Sequence, residues 1–317
     1  MKTKLMLSAL VLSIGAFAAP RYSGIDCDVS ALPVEREFFA DVVAQRVAER
    51  VAAPGSGPKL KLRFRLDPSL GGDNATVAVS NGTATVVGAR FRAVAAGPGL
   101  LLRRAAWRRD GFELADGDLS FRPWGELREV CFARHFHNWY HVASDEEVER
   151  YCEDLALWGA NSVQNPFIAL VNFTSDWESD PKAEAFMRAF LSVSRALRRM
   201  DLEVATQGGG NQTVADPPRE FLAVRGKHDT PVGHNLCPNK PGATDYMLGV
   251  RRAVCGRMKA LGVRPDCVRF WPYDEGGCGC TNCLPWGGNA YLTLSGKLAK
   301  MSRGIPRRAA AALDLVV

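Results

Sequence analysis

Two adjacent carboxylates, Asp274 and Glu275, are the residues of this chain best suited to acid–base chemistry. They follow an apolar run that ends at Trp271 and precede two glycines, so the pattern predicts a strand that delivers both acids into a turn. Such a pair suits cleavage of a glycosidic bond with help from a 2-acetamido group of the substrate. Glu275 would then be the general acid, and Asp274 would orient the acetamido group. The alternative is a solvated turn with no catalytic role.

Aromatic and polar side chains surround this acid pair and follow each of the earlier predicted strands. Aromatic rings offer flat apolar faces, while amides and imidazoles can hydrogen-bond to hydroxyl groups. The predicted substrate-binding residues are His135, Asn138, Trp139, Tyr140, Asn165, Asn211, Trp271, Tyr273 and Trp286. For the residues at 135–140 the alternative is packing in the core or on the surface, and for Asn165 and Asn211 it is a flexible turn.

A cluster of cysteines, Cys278, Cys280 and Cys283, comes directly after the acid pair. Three thiols this close together cannot all pair with one another, and their spacing suits tetrahedral zinc with a fourth ligand. We predict Cys237 as that ligand, with His234 as the second choice, and a Cys280–Cys283 disulfide as the alternative to a metal. The site lacks the open position and imidazoles of catalytic zinc, so we expect a structural ion and no cofactor for catalysis.

The first part of the chain carries the pattern of a small α/β unit, assigned to residues 21–124. Helical spacing of apolar residues predicts a helix within 34–53, and strict alternation predicts a strand over 60–66. Asn81-Gly82 predicts the turn of a hairpin between 75–80 and 83–87, and a helix is predicted over Phe91–Arg104.

Strands and helices alternate over residues 125–302. Strands are predicted at 130–135, 161–167, 203–206 and Cys267–Trp271, and helices at 145–158, 183–202 and 246–261. Ser144 and Glu147 form a capping-box sequence at the first of these helices. The pattern predicts a parallel sheet and an incomplete (β/α)8-type barrel of about four β/α units.

The length of this second part is short for a whole barrel, which takes roughly 250 residues. The fourth strand falls near residue 270 of 317, and residues 303–317 show neither strand alternation nor a capped helix. We therefore expect a truncation or frameshift near residue 302, with 303–317 as an aberrant tail. A natural half-barrel that dimerises is the alternative.

Residues 1–18 have the features of a secretory signal peptide: a basic start at Lys2 and Lys4, an apolar stretch, and small residues before Pro20. We expect a secreted or periplasmic protein with no membrane contact after cleavage. The formal net charge is +6, but the signal and the last fifteen residues hold most of it. The remaining charge gives no reason to expect nucleic acid as a partner. The oligomeric state stays open.

Four motifs carry a resemblance to a known group of enzymes. They are the segments 88–103, 154–161 and 271–280 and the set His135, Phe136, Asn138 and Tyr140. Together they make the chain, over roughly residues 34–300, similar to a branch of bacterial glycoside hydrolases of the beta-hexosaminidase and alpha-glucuronidase groups.

The resemblance implies a small α/β N-terminal domain followed by a TIM-barrel-like domain. In the hexosaminidases an Asp-Glu pair ends the fourth strand, which Asp274-Glu275 would match. The expected function is an exported glycoside hydrolase-like protein. A non-catalytic carbohydrate-binding protein and a metal-binding module are the alternatives.

Overall fold

The structure is a computed structural model with an α/β architecture. It describes residues 19–132, 138–165, 170–209, 211–224, 235–271 and 278–283, together with Lys297. The strands in these residues are β1 Arg21–Tyr22, β2 Gly24–Asp28, β3 Lys59–Leu66, β4 Ala75–Ser80, β5 Thr83–Gly88, β6 Ala106–Arg108, β7 Gly111–Glu113, β8 Gly117–Phe121, β9 Glu129–Cys131, β10 Ser162–Gln164, β11 Glu203–Gly209 and β12 Cys267–Trp271. The helices are α1 Phe39–Ala48, α2 Phe91–Arg104, α3 Asp145–Leu157, α4 Pro181–Arg199 and α5 Ala243–Ala260.

A five-stranded mixed sheet dominates the first part of the chain, in the order β2-β3-β5-β4-β8. The predicted hairpin is confirmed: β4 and β5 pair antiparallel, and Asn81 and Gly82 have φ values of 50° and 75°. Positive φ at both central residues is what a two-residue hairpin turn requires. The buried positions of β3 alternate as predicted, and helices α1 and α2 cover the sheet with apolar residues. The edge strands β2 and β8 of this sheet and a small sheet, β1-β7-β6, were not predicted.

A four-stranded parallel sheet follows, in the order β12-β11-β10-β9. Its strands are neighbours in chain order, and α3, α4 and α5 connect successive pairs. This is the arrangement of consecutive β/α units in a barrel, so the predicted fold class is confirmed. The capping box is also present, because Ser144 Oγ accepts from Glu147 N at 3.2 Å and Ser144 N donates to Glu147 Oε2 at 2.8 Å.

The two faces of this sheet differ in polarity. Val163 and Val204 lie on the outer face and are fully buried in the main core. The opposite, inner face carries the polar side chains. There, Arg269 of β12 donates to both carboxylate oxygens of Glu129 of β9 at 3.1 and 3.0 Å. Because β9 and β12 are separated by two strands and side chains stand roughly perpendicular to a sheet, this contact requires a concave inner face.

A buried charge cluster joins the five-stranded sheet to the start of the parallel strands. Asp73, whose side chain is 6% exposed, accepts from Arg92 at 2.8 Å, from Arg128 at 2.6 Å and from Asn161 at 3.0 Å. Burial raises the pKa of Asp73, but the hydrogen bonds from Arg128 and Arg92 outweigh it and hold the pKa below its usual range. The cluster therefore favours an ionised Asp73.

The main hydrophobic core is continuous between these two sheets. It includes Val86 from the first sheet and Val163 from the second. Helix α2 approaches α3 so closely that a Cβ on Gly99 would lie 1.7 Å from the carbonyl oxygen of Leu157. The predicted domain boundary near residue 124 stays a prediction. Among the described residues, no helix combines the length and apolarity that a membrane crossing requires.

Candidate functional site

The carboxyl ends of the parallel strands are where barrel enzymes place their active sites. Strand β12 ends at Trp271, as predicted, and the sequence then reaches Asp274 and Glu275 before Cys278. These two acids lie outside the described residues, as do His135, Tyr273 and Trp286. Their predicted roles stay predictions. The structure does describe what stands on each side of the acids: the end of β12 and the cysteine cluster.

The four predicted cysteines come together. The sulfur atoms of Cys237, Cys278, Cys280 and Cys283 all lie within 4.8 Å of one another. Cys237 Sγ is 3.8 Å from Cys280 Sγ and 3.7 Å from Cys283 Sγ. A disulfide requires about 2.05 Å, whereas the edge of a ZnS₄ tetrahedron with bonds of about 2.3 Å measures about 3.8 Å. The donor set therefore fits a tetrahedral metal ion, and none of the nine cysteines, all of which are described, forms a disulfide.

Hydrogen bonds orient the sulfur atoms of this cluster. The backbone N–H of Asn239 donates to Cys237 Sγ, and its side-chain amide donates to Cys283 Sγ at 3.0 Å. The backbone N–H of Asn282 donates to Cys280 Sγ. Hydrogen bonds of this kind stabilise thiolates and fix the direction of their lone pairs, as outer partners of metal ligands do.

The thiols differ in their surroundings. Burial raises the pKa of Cys237 and that of Cys283. Burial also acts on the less buried Cys280, but hydrogen bonds from Cys283 and Cys278 outweigh it and bring the pKa of Cys280 down to about 7. The cluster thus lies in a buried setting in which a bound cation would stabilise the charge of thiolates.

Loops from two strands build the cluster. Asn211, which follows β11, donates from Nδ2 to the carbonyl oxygen of Leu236 at 3.0 Å and accepts from Leu236 N at 2.9 Å. Gly279 N, next to Cys278, donates to the carbonyl oxygen of Val224 at 2.8 Å. The predicted ligand-binding residue Asn211 is therefore 4% exposed and supports the segment that carries Cys237.

Asn138, Trp139 and Tyr140 line a cavity of about 520 Å³ beside the end of β9. Tyr140 stacks on Phe132 with ring centroids 4.7 Å apart, and Trp139 meets Tyr151 edge-on at 5.4 Å. Trp139 is 44% exposed, so part of its ring is open to solvent. Charged groups on one side of α3 complete the wall of the cavity: Glu147, Arg150 and Asp154.

Strand β10 places two neighbouring amides on opposite faces of the sheet. Asn165, predicted to bind ligand, is fully buried and donates to Phe190 O at 3.1 Å and to Ser194 Oγ at 3.2 Å, both on α4. Gln164 lies on the inner face, in register with Cys131 of β9. Gln164 was not among the predicted substrate-binding residues. Side chains alternate between the two faces of a strand, so choosing the residue directly before Asn165 would have identified it.

Comparison with known proteins gives the class of fold. No family model and no curated protein matches this chain. Among solved structures, an inactive mutant of the GH20 exo-β-N-acetylglucosaminidase from Vibrio harveyi has 13% identity and a TM-score of 0.57, covering 88% of this chain and 47% of the enzyme. A mutant β-hexosaminidase from Streptomyces plicatus has 16% identity and a TM-score of 0.56, with coverage of 90% and 61%. The GH20 β-N-acetylhexosaminidase from Streptomyces coelicolor has 17% identity and a TM-score of 0.52, with coverage of 82% and 59%.

The chain thus has a glycoside-hydrolase-like fold, and its structure is similar to those of GH20 β-hexosaminidases. It spans about half to three fifths of the length of these enzymes. The resemblance to beta-hexosaminidases that the sequence motifs indicated is confirmed at the level of fold. The likeness to alpha-glucuronidases stays a prediction.

Proposed function

We propose that this protein hydrolyses glycosidic bonds of oligo- or polysaccharides that contain a 2-acetamido sugar. Glu275 is assigned as the general acid and Asp274 as the carboxylate that orients the acetamido group. The observation that carries the proposal is the position of the acid pair in the chain. It falls between the end of the fourth parallel strand and a cysteine cluster that connects two neighbouring loops.

The choice of substrate is supported by the solved structures of similar fold. The Streptomyces plicatus β-hexosaminidase was solved in complex with its product GlcNAc, and the Vibrio harveyi enzyme in complex with N-acetylglucosamine. The cavity beside β9 has side chains suited to a sugar. The exposed part of Trp139 offers a flat apolar surface, and Asn138 offers a carboxamide. We place a sugar ring against this surface.

Zn²⁺ is the metal that best suits the cysteine cluster. Four thiolates at tetrahedral spacing are the donor set of structural zinc, and four protein ligands leave no position for water. The ion would fix the far end of the segment that carries Asp274 and Glu275, while β12 fixes the near end. Secretion to the periplasm or medium remains part of the proposal and is supported by the sequence of residues 1–18 alone.

The test is turnover of chromogenic aryl glycosides of N-acetylglucosamine in both anomeric forms, with the aryl glucosides as comparison. Loss of a general acid typically costs a factor of about 10² to 10⁴, so Glu275→Gln should reduce kcat by that range. Glu184→Gln, an exposed helix position, is the matched control. If Glu275→Gln and the wild type are equally active, Glu275 is not the general acid. Sugar binding by a wild-type protein without any turnover would instead favour a non-catalytic carbohydrate-binding protein.

A further inference from the structure

Gln164 is a buried amide whose donor has no partner. Its side chain is 5% exposed, and Nε2 makes no hydrogen bond. At the described strands β9 to β12, two other buried side-chain atoms are in this condition, Thr206 Oγ1 and Asn165 Oδ1, and strand alternation places both on the outer face. Gln164 is on the inner face, at the last position of β10. An unpaired buried amide is costly to a fold, and such violations are expected at functional sites.

The inner face around Gln164 is polar and locally neutral. One step earlier along β10, Ser162 Oγ donates to Glu129 Oε2 at 2.8 Å, and Arg269 neutralises that carboxylate. On β11, the small Ala205 is in register with Gln164. Among the described residues of this face, the charged side chains are paired with opposite charges, Glu129 with Arg269 and Glu203 with Arg92, which favours a neutral, hydroxyl-rich ligand over a phosphate or an amine.

Gln164 itself is not in the wall of the cavity that holds Trp139, but its neighbour on β9 is. Cys131, its partner in register on β9, is exposed and lines that cavity. The inner face is thus open to solvent on one side of Gln164.

We propose that Gln164 is a substrate-binding residue that donates a hydrogen bond from Nε2 to a hydroxyl or acetamido oxygen of a neutral sugar. This inference rests on the proposed function and adds to it a specificity-determining side chain. The amide costs stability in the free protein and recovers its hydrogen bond in the complex.

The experiment compares Gln164→Leu and Gln164→Met with the wild type. Calorimetric titration with N-acetylglucosamine measures Kd, turnover of its aryl glycosides measures KM and kcat, and thermal unfolding without ligand measures Tm. Both variants should raise Kd and KM by about tenfold, the typical effect of one lost hydrogen bond. Tm should stay equal or rise, because the unpaired amide is gone. Gln45→Leu, the same change on the exposed side of α1, should alter neither Kd nor KM.

Two results would overturn the inference, and they are distinguishable. If both variants bind and turn over sugar like the wild type, Gln164 is not a binding residue while the proposed function stands. If the wild type neither binds N-acetylglucosamine nor cleaves its glycosides, the proposed function fails, and the role of Gln164 fails with it. A higher Kd together with an unreduced Tm supports the inference, because a merely structural amide would show the reverse.

Discussion

Metal loading of the cysteine cluster is expected to give four equal metal–sulfur distances of about 2.3 Å. The value follows from two sulfur–sulfur separations, 3.7 and 3.8 Å, which match the edge of a tetrahedron, and an edge is about 1.63 times the distance from centre to corner. X-ray absorption at the zinc edge measures this distance and the number of sulfur neighbours directly. Metal analysis should give about one zinc per chain.

Removing one metal ligand tests the same site through its effect on the stability of the protein. Cys283→Ser replaces a fully buried thiol of the cluster and should lower both zinc content and the unfolding temperature. Cys255→Ser is the matched control, because this cysteine lies on α5 and outside the cluster. A strong chelator should reproduce the effect of Cys283→Ser on the wild type and leave that variant unchanged.

Two outcomes would refute the tetrahedral site. One is a first coordination shell with fewer than three sulfur atoms or a shell dominated by oxygen and nitrogen. The other is a Cys280–Cys283 disulfide in the purified protein, detected as a peptide lighter by two hydrogens. The first result would remove the four-cysteine metal site, and the second would establish the disulfide alternative that the sequence left open.

Two further predictions concern the connection between the sheets. Gly99→Ala should destabilise the protein by about 3 kcal/mol in urea unfolding, because its Cβ would overlap the backbone oxygen of Leu157. Gly256→Ala, with open space around its Cβ, should stabilise by up to about 1 kcal/mol, and an equal loss in both variants would contradict the packing argument. Asp73→Asn should cost about 3 kcal/mol at pH 7, because the buried Arg92 would lose its closer charged partner and keep only Glu203 at 3.5 Å. The folded-state pKa of Asp73 is lowered, so its contribution is present above about pH 3.9 and is lost as the pH falls through the folded pKa. A difference that does not change between pH 7 and pH 3 would count against this assignment.

Local signals in the sequence were sufficient for the main elements. The helix Phe91–Arg104 and the strand Cys267–Trp271 have the predicted bounds, because apolar periodicity and flanking residues agree there. Asn81-Gly82 fixed the hairpin through its backbone preference. The short strands β1, β6 and β7 escaped prediction, since two or three residues carry no measurable alternation and their pairing is decided by tertiary contacts.

In the candidate site, the sequence likewise predicted which residues come together but not the direction in which each side chain points. Cys237 was predicted as a ligand from its place in the loop after β11, because loops at the same end of a parallel sheet meet in space. Asn165 was predicted to contact ligand, yet its amino group donates to α4. The register of β10 decides whether Gln164 or Asn165 points to the inner face. The sequence pattern does not define that register to within one residue.

The ion pair between Arg269 and Glu129 has a consequence for the width of the concave face. Backbone ladders fix only neighbouring strands, whereas this pair ties the first parallel strand to the fourth across the arc. Its two parallel hydrogen bonds depend on the planar fork of a guanidinium, which an ammonium group cannot reproduce. The width of the concave face is thereby under the control of one side chain, so a lysine at position 269 would relax the arc without breaking any strand pairing.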